Sequence, residues 1–253
     1  QQASTPTGEV IMKRSLLLLA ACTALLLLED CASFDSLPSP FRRTPPRPGR
    51  TSLGSQLVIV PTKAIGNVLI VEAKGDRFGP YHFLVDTGSS VTLVTPALAK
   101  RHASKDAPPA DAPRVRVLSA DGQTTELAPT TLRQLELGQA RFDEVFALVY
   151  DCSALSAHLG VKIDGILGFP LFRETLLTLD YPRSRVLLQS TRSLAAIPGT
   201  VVPLNDASKT PLISVRLGDR TFVALIDSGS DGPLSLNPIG LKLLALLMQK
   251  SPA

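Results

Sequence analysis

Phe83 to Val94 reads FLVDTGSSVTLV. A short apolar run ends on a carboxylate, Asp86, and a tight polar turn follows before the chain becomes apolar again. Asp and Thr hydrogen-bond to the local backbone in turns and Gly supplies positive φ, so one copy reads as ordinary turn chemistry. A second copy changes the weight of the first. In Ala224 to Leu236, ALIDSGSDGPLSL, Leu225-Ile226 leads into Asp227-Ser228-Gly229-Ser230, 141 residues after Asp86. The flanks repeat too: NVLIVEAKGDRFGPYHFLVDTGSSVTLVTP from Asn67 stands beside TPLISVRLGDRTFVALIDSGSDGPLSLNP from Thr210. Each copy has an alternating strand-like run, then Gly-Asp-Arg (Gly75 to Arg77, Gly218 to Arg220), a second run and the acid. Gly-Asp-Arg between apolar strands predicts a hairpin. Both copies close on an apolar residue, a polar one and Pro, Val94-Thr95-Pro96 and Leu236-Asn237-Pro238. Thr or Asn can cap a helix whose first residue is Pro. Two copies at a long period describe half-domains rather than a solenoid.

On Asp86-Thr87-Gly88-Ser89 and Asp227-Ser228-Gly229-Ser230, joined by Asp164-Gly165-Ile166-Leu167-Gly168, the chain resembles the pepsin and retropepsin superfamily of aspartic proteases. In that family two apolar residues followed by Gly form a strand crossing behind the active-site loop. LTLDYPRSRVLL, Leu177 to Leu188, looks like the closing hairpin of bacterial retropepsin-like lobes. The resemblance covers residues 56–190, with 200–240 as the start of a second lobe. It implies an all-β acid-protease fold, a closed barrel lobe that is duplicated, with the second lobe incomplete. It makes Asp86 and Asp227 the catalytic pair, supported by Thr87, Gly88, Ser89, Ser228, Gly229 and Ser230. VRVLSADGQTTELAP, Val115 to Pro129, becomes the flap over the substrate, with Ala120, Asp121 and Gly122 at its tip. By turn chemistry alone the same stretch is a surface hairpin. Its tip carries no tyrosine, which departs from the pepsins.

The chemistry explains the residue types. Two carboxylates about 3 Å apart cannot both ionise, so the pair holds one proton between them and titrates as a unit. The ionised member takes a proton from water, and the protonated one polarises the scissile carbonyl. Glycines let two such loops approach backbone to backbone. The resemblance has Thr87 and Ser228 bonding across to the opposite loop; the hydroxyls of Ser89 and Ser230 are expected to donate to the carboxylates. The implied substrate is a peptide or protein, with no cofactor and no metal.

Other chemistries find little purchase. The three histidines, His82, His102 and His158, lack metal-ligand spacing. His82 reads as a strand-surface residue, and Cys152 as a free core thiol. There is no phosphate loop of the Walker type and no G-x-S-x-G elbow. The net charge is +4, and four arginines fall in FRRTPPRPGR, 41–50, so the remainder is near neutral and nucleic acid is not the expected partner. Hydrophobic residues make up 44%, enough for a Leu/Val/Ile core.

Met12-Lys13-Arg14 followed by the apolar Ser15 to Leu28 reads as an export signal. Lipid anchoring through Cys22 or Cys31 and a plain secretory signal both stay open, and either puts the protein in the periplasm or at the bacterial envelope. The expected layout is an extension and signal at 1–31, a Pro/Arg-rich tether at 32–55, a first lobe at 56–195 and the start of a second at 196–253. Short helices are expected over Pro96 to Ala103, Ala154 to Leu159 ending at Gly160, Pro170 to Glu174, and the apolar run Ile239 to Gln249. Only 26 residues follow Asp227, so the second lobe reads as truncated and activity as weak or absent. The alternatives are a homodimer that uses the first lobe twice, a non-catalytic peptide-binding module, and an inactive homologue.

Overall fold

The structure, a computed structural model, describes residues 49–119, 122–193, 199–204, 209–217, 220–232, 234–236 and 240–242. The stretch expected to be an export signal, Cys22, Cys31 and most of the apolar C-terminal run lie outside the described residues.

Strands dominate. They are β1 (Thr51–Leu53), β2 (Leu57–Ile65), β3 (Val68–Gly75), β4 (Phe78–Asp86), β5 (Thr92–Val94), β6 (Val115–Leu118), β7 (Thr124–Leu127), β8 (Pro129–Leu137), β9 (Ala140–Val149), β10 (Gly165–Gly168), β11 (Thr175–Asp180), β12 (Arg185–Ser190), β13 (Leu212–Leu217) and β14 (Arg220–Leu225). Among the described residues, two full helices stand between strands, α1 (Pro96–His102) and α2 (Ser153–Leu159). Pairing runs from β3 to β4, β10, β5, β9 and β8 and returns from β8 to β3, which closes a six-stranded mixed barrel. Outside this ring β1 adds to β9, while β2, β12 and β11 extend from β3.

β3 and β4 are apolar on both faces because each face meets a different core. Leu69, Val71, Phe83 and Val85 point into one cluster with Leu132, Leu135, Phe142 and Leu188. Val68, Ile70 and Leu84 alternate into a second with Leu93, Leu148 and Ile166. A strand's period of two divides its side chains this way. Removing a ring such as that of the fully buried Phe83 costs about 3–5 kcal/mol at such positions. Gly165 is there because a Cβ would run into the Phe83 ring and the Leu93 carbonyl, so only glycine lets β10 lie this close to β4 and β5.

Several expectations hold and others shift. Gly75 to Arg77 forms the β3–β4 turn, and β13 and β14 flank the second Gly-Asp-Arg. Thr95 precedes α1 with Pro96 at its first position, although the Thr95 side chain makes no capping bond. Gly160, at φ 67°, ends α2 in the left-handed region, and α2 starts one residue earlier than expected, at Ser153. The expected helix at Pro170 to Glu174 is instead a 3-10 turn over Phe169–Phe172. The tether boundary at 55 is too late. β1 lies inside 32–55 and pairs with β9, Thr51 opposite Phe142 and Leu53 opposite Ala140. A three-residue strand is too short to show alternation, so composition hid it. Among the described residues the second copy contributes one hairpin, β13–β14, and the loop after it, and no second closed barrel forms.

Candidate active site

β4 delivers Asp86 to one pole of the barrel. β10 runs parallel to β4 with Gly168 beside Asp86, and antiparallel to β5. This is the strand the DGILG motif implies, crossing behind the loop. A Cβ at Gly168 would collide with the Val91 backbone, and the Phe169 N–H donates to the Ser89 carbonyl at 3.0 Å. Gly168 N–H donates to Thr92 Oγ1 at 3.3 Å. The loop from Asp86 to Val91 is thereby tied to the barrel wall at both ends.

The second copy meets it in near-symmetrical fashion. Thr87 N–H donates to Ser228 Oγ at 3.0 Å, and Ser228 N–H donates to Thr87 Oγ1 at 3.0 Å. Each hydroxyl then donates to the carbonyl just before the opposite acid, Thr87 to Ile226 O at 2.6 Å and Ser228 to Val85 O at 2.8 Å. Four hydrogen bonds therefore lock the two loops together. The glycines are what let them meet. A Cβ on Gly88 would sit 2.5 Å from the carboxyl carbon of Asp227, and one on Gly229 would sit 2.5 Å from that of Asp86.

Between these loops the two carboxyl groups share a buried space. Asp86 is fully buried, and its Oδ1 accepts the Ser89 N–H at 3.1 Å. Asp227 is half-buried, with Oδ2 out of solvent and Oδ1 accepting the Gly229 N–H at 2.8 Å. Burial pushes the Asp227 carboxyl above the ordinary carboxylate range. The Gly229 N–H, a hydrogen bond with the Asp86 carboxyl and the Gly88 N–H partly offset that rise. Two carboxyl groups brought this close in a buried space share one proton, because both cannot be charged there.

The expected role of two serines needs correction. Ser89 Oγ donates to Val91 O at 2.7 Å, and Ser230 Oγ to Gly232 O at 3.3 Å. Neither hydroxyl turns to a carboxylate, because a carbonyl two residues on is within easier reach of so short a side chain. Ser89 serves through its backbone N–H instead. Ala120 and Asp121 lie outside the described residues. The hairpin they cap is formed: β6 pairs with β7, the Ser119 N–H donates to Gln123 O at 2.8 Å, and Gly122 adopts φ 80°. Leu127 at its base and Val117 nearer its tip pack on the cluster that holds Leu84, Val91 and Leu93.

His82 lies apart, its side chain 42% exposed and 3.9 Å from Glu72. Cys152 is a free, buried thiol pushed up to about 12 by burial. No cluster of His, Cys, Asp and Glu that could hold a metal occurs among the described residues. None of the described helices is long and apolar enough to cross a membrane. Sequence reading missed Asn67, whose Nδ2 donates to Asp231 O at 2.7 Å across the junction of the two halves. Its sole signal was a Gly-Asn turn.

The closed mixed barrel with its crossing strand is consistent with a retropepsin-like lobe. Residues 71–171 match the family described as aspartyl protease, Asp_protease_2, and over that stretch the chain is similar to this retropepsin-like family. The likeness suggests an aspartic-type peptidase acting on peptides. The match ends before Asp227, so the second acid rests on the geometry above. No curated protein matches the chain.

Proposed function

We propose that the chain is an aspartic endopeptidase in which Asp86 and Asp227 together activate water. The observation that carries this reading is the reciprocal Thr87–Ser228 bonding, which ties the loops that bear the two acids together at the end of β4. Both acids accept a backbone N–H, Asp86 from Ser89 and Asp227 from Gly229, and burial raises Asp227, so the pair holds one proton between its members. The ionised member draws a proton from a water lying between the two, and that water attacks the scissile carbonyl. The protonated member donates its proton to the carbonyl oxygen as charge develops there. Collapse of the tetrahedral species transfers a proton to the leaving amine and restores the shared-proton state.

Asp86→Asn and Asp227→Asn are each expected to abolish cleavage of a quenched peptide library while the fold survives. A statine-type mimic, whose hydroxyl stands in for the attacking water, is expected to inhibit. Full activity in Asp227→Asn would reject this pairing in favour of a homodimer that uses Asp86 twice. Export by the Ser15 to Leu28 segment, with or without a lipid on Cys22 or Cys31, belongs to the same proposal and rests on sequence. Cell fractionation with and without that segment tests it.

A further inference from the structure

Three turns of the first lobe reach the pole where the second half docks. β4 arrives there at Asp86. The β2–β3 turn arrives with it, since Ile65 pairs with Val68 while Ile70 pairs with Leu84. The third is the 3-10 turn Tyr181–Arg183 between β11 and β12. β12 runs antiparallel to β2 with Arg185 opposite Pro61, and Thr62 N–H donates to Ser184 O at 2.9 Å. The turn therefore opens toward the same end of the sheet as Asp86. Across it stand Asp227 and the following loop, held by Ser228 on Val85 and by Asn67 on Asp231.

The turn itself is braced. Asp180 Oδ1 accepts the Arg183 N–H at 3.3 Å, and Asp180 Oδ2 accepts Arg185 Nε at 2.7 Å. Its first residue is not tied down in the same way. Tyr181 is 41% exposed, and its phenol makes no hydrogen bond to another described residue. A fixed backbone thus presents an amphipathic ring, apolar at its face and a donor at its tip, beside the candidate site.

We propose that Tyr181 contacts the substrate on the Asp227 side of the cleft, its ring walling a side-chain subsite and its O–H donating to a peptide carbonyl. This rests on the aspartic peptidase reading above and extends it to specificity. Two further facts agree with it. The phenol is pushed up, first by burial and then by the charge of Asp227. It also keeps the O–H protonated, and hence a donor, throughout the acidic to neutral range.

The test combines hydrolysis of a peptide library, binding of a statine-type peptide mimic and phenol titration. Tyr181→Phe removes only the hydroxyl and is expected to raise KM and weaken the mimic roughly three- to tenfold with kcat little changed, as loss of one hydrogen bond implies. Tyr181→Ala is expected to weaken both further and to change which side chains are accepted at one position next to the cut. A purely structural role would lower thermal stability and leave the cleavage preference as it was. Asp227→Asn is expected to lower the pKa of the one phenol that is missing from the titration of Tyr181→Phe. Wild-type KM, mimic affinity and preference in both Tyr181 variants would overturn the proposal, as would a phenol titration indifferent to Asp227→Asn. The underlying reading fails separately, through activity that survives Asp86→Asn.

Discussion

Ser228→Ala deletes one oxygen and adds nothing, so its effect can be worked from two hydrogen bonds. Ser228 Oγ accepts the Thr87 N–H at 3.0 Å and donates to Val85 O at 2.8 Å. Both Thr87 and Ser228 are buried, at 5% and 6% exposure, so water cannot replace the lost partner without the loops parting. An orphaned buried N–H costs about 1–3 kcal/mol, and the lost bond to a carbonyl that retains sheet neighbours about 0.5–1.5 kcal/mol. The sum is about 2–4 kcal/mol, and all of it falls on the docking of the Asp227 loop rather than on the barrel. Displacing a reacting group by about 1 Å can cost on the order of a hundredfold in rate. The expected result is at least a hundredfold loss in kcat/KM on a peptide substrate, with circular dichroism of the strands unchanged. Thr87→Val, which removes the other two bonds, should do the same. The double variant should lose far less than the sum, since loops already parted have little left to lose. A Ser228→Ala enzyme within twofold of wild type, or strict additivity in the double variant, would refute the view that these four bonds set the geometry of the pair.

Other consequences can be checked as directly. Gly88→Ala or Gly229→Ala puts a methyl 2.5 Å from the opposite carboxyl carbon, so each should abolish cleavage and mimic binding in a chain that still folds; activity retained in either would contradict the close approach. The rate should be bell-shaped in pH, with its alkaline limb set by loss of the proton the pair shares, raised by burial, which is read from kcat/KM against pH; a rate still climbing above neutral pH would rule this out. His102 is buried against Tyr81, Asp76, Arg101 and Arg133, and burial lowers its pKa below that of the unfolded chain. Stability from this group is therefore whole above about pH 6.5 and is lost as the pH falls toward the folded value, because only the unfolded chain takes up the proton there. Urea midpoints from pH 8 to 5 should show the slope, and His102→Gln should flatten it.

What could be read from sequence was local and repeated. Asp86 to Ser89 and Asp227 to Ser230 announce themselves because acid, hydroxyl and glycine must be adjacent to build one loop, and the loop occurs twice. Asp164 to Gly168 was legible for a related reason: a strand squeezed between β4 and β5 needs glycine at each end. What depended on register was not legible. The Tyr181 turn reaches the Asp86 end of the sheet only through the pairing of β12 with β2, residues far apart in the chain, and its neighbours Pro182 and Arg183 advertise nothing but a turn. β1 disappeared into a Pro- and Arg-rich stretch because three residues carry no period. The hydroxyls of Ser89 and Ser230 were assigned to the carboxylates by proximity in sequence, and the competing carbonyls of Val91 and Gly232 won on reach.

The two acids are held in different ways. Asp86 ends a strand paired on both sides within a closed barrel, and the apolar residues just before it, Phe83, Leu84 and Val85, are all nearly sealed from solvent. Asp227 follows a two-stranded hairpin in which Val215 and Val223 are exposed, as are Ile226, Leu234 and Leu236 around it. A lone two-stranded hairpin is marginal in water, so the position of Asp227 depends on the Thr87–Ser228 bonds and the Asn67–Asp231 contact more than on its own sheet. Regions with few buried apolar contacts open before the global transition. Activity should therefore disappear at a lower urea concentration than the barrel's strand signal, and a bound statine-type mimic, which touches both halves, should draw the two transitions together. Coincident loss of activity and strand structure in the free enzyme would show that the second half is as firmly built into the fold as the first.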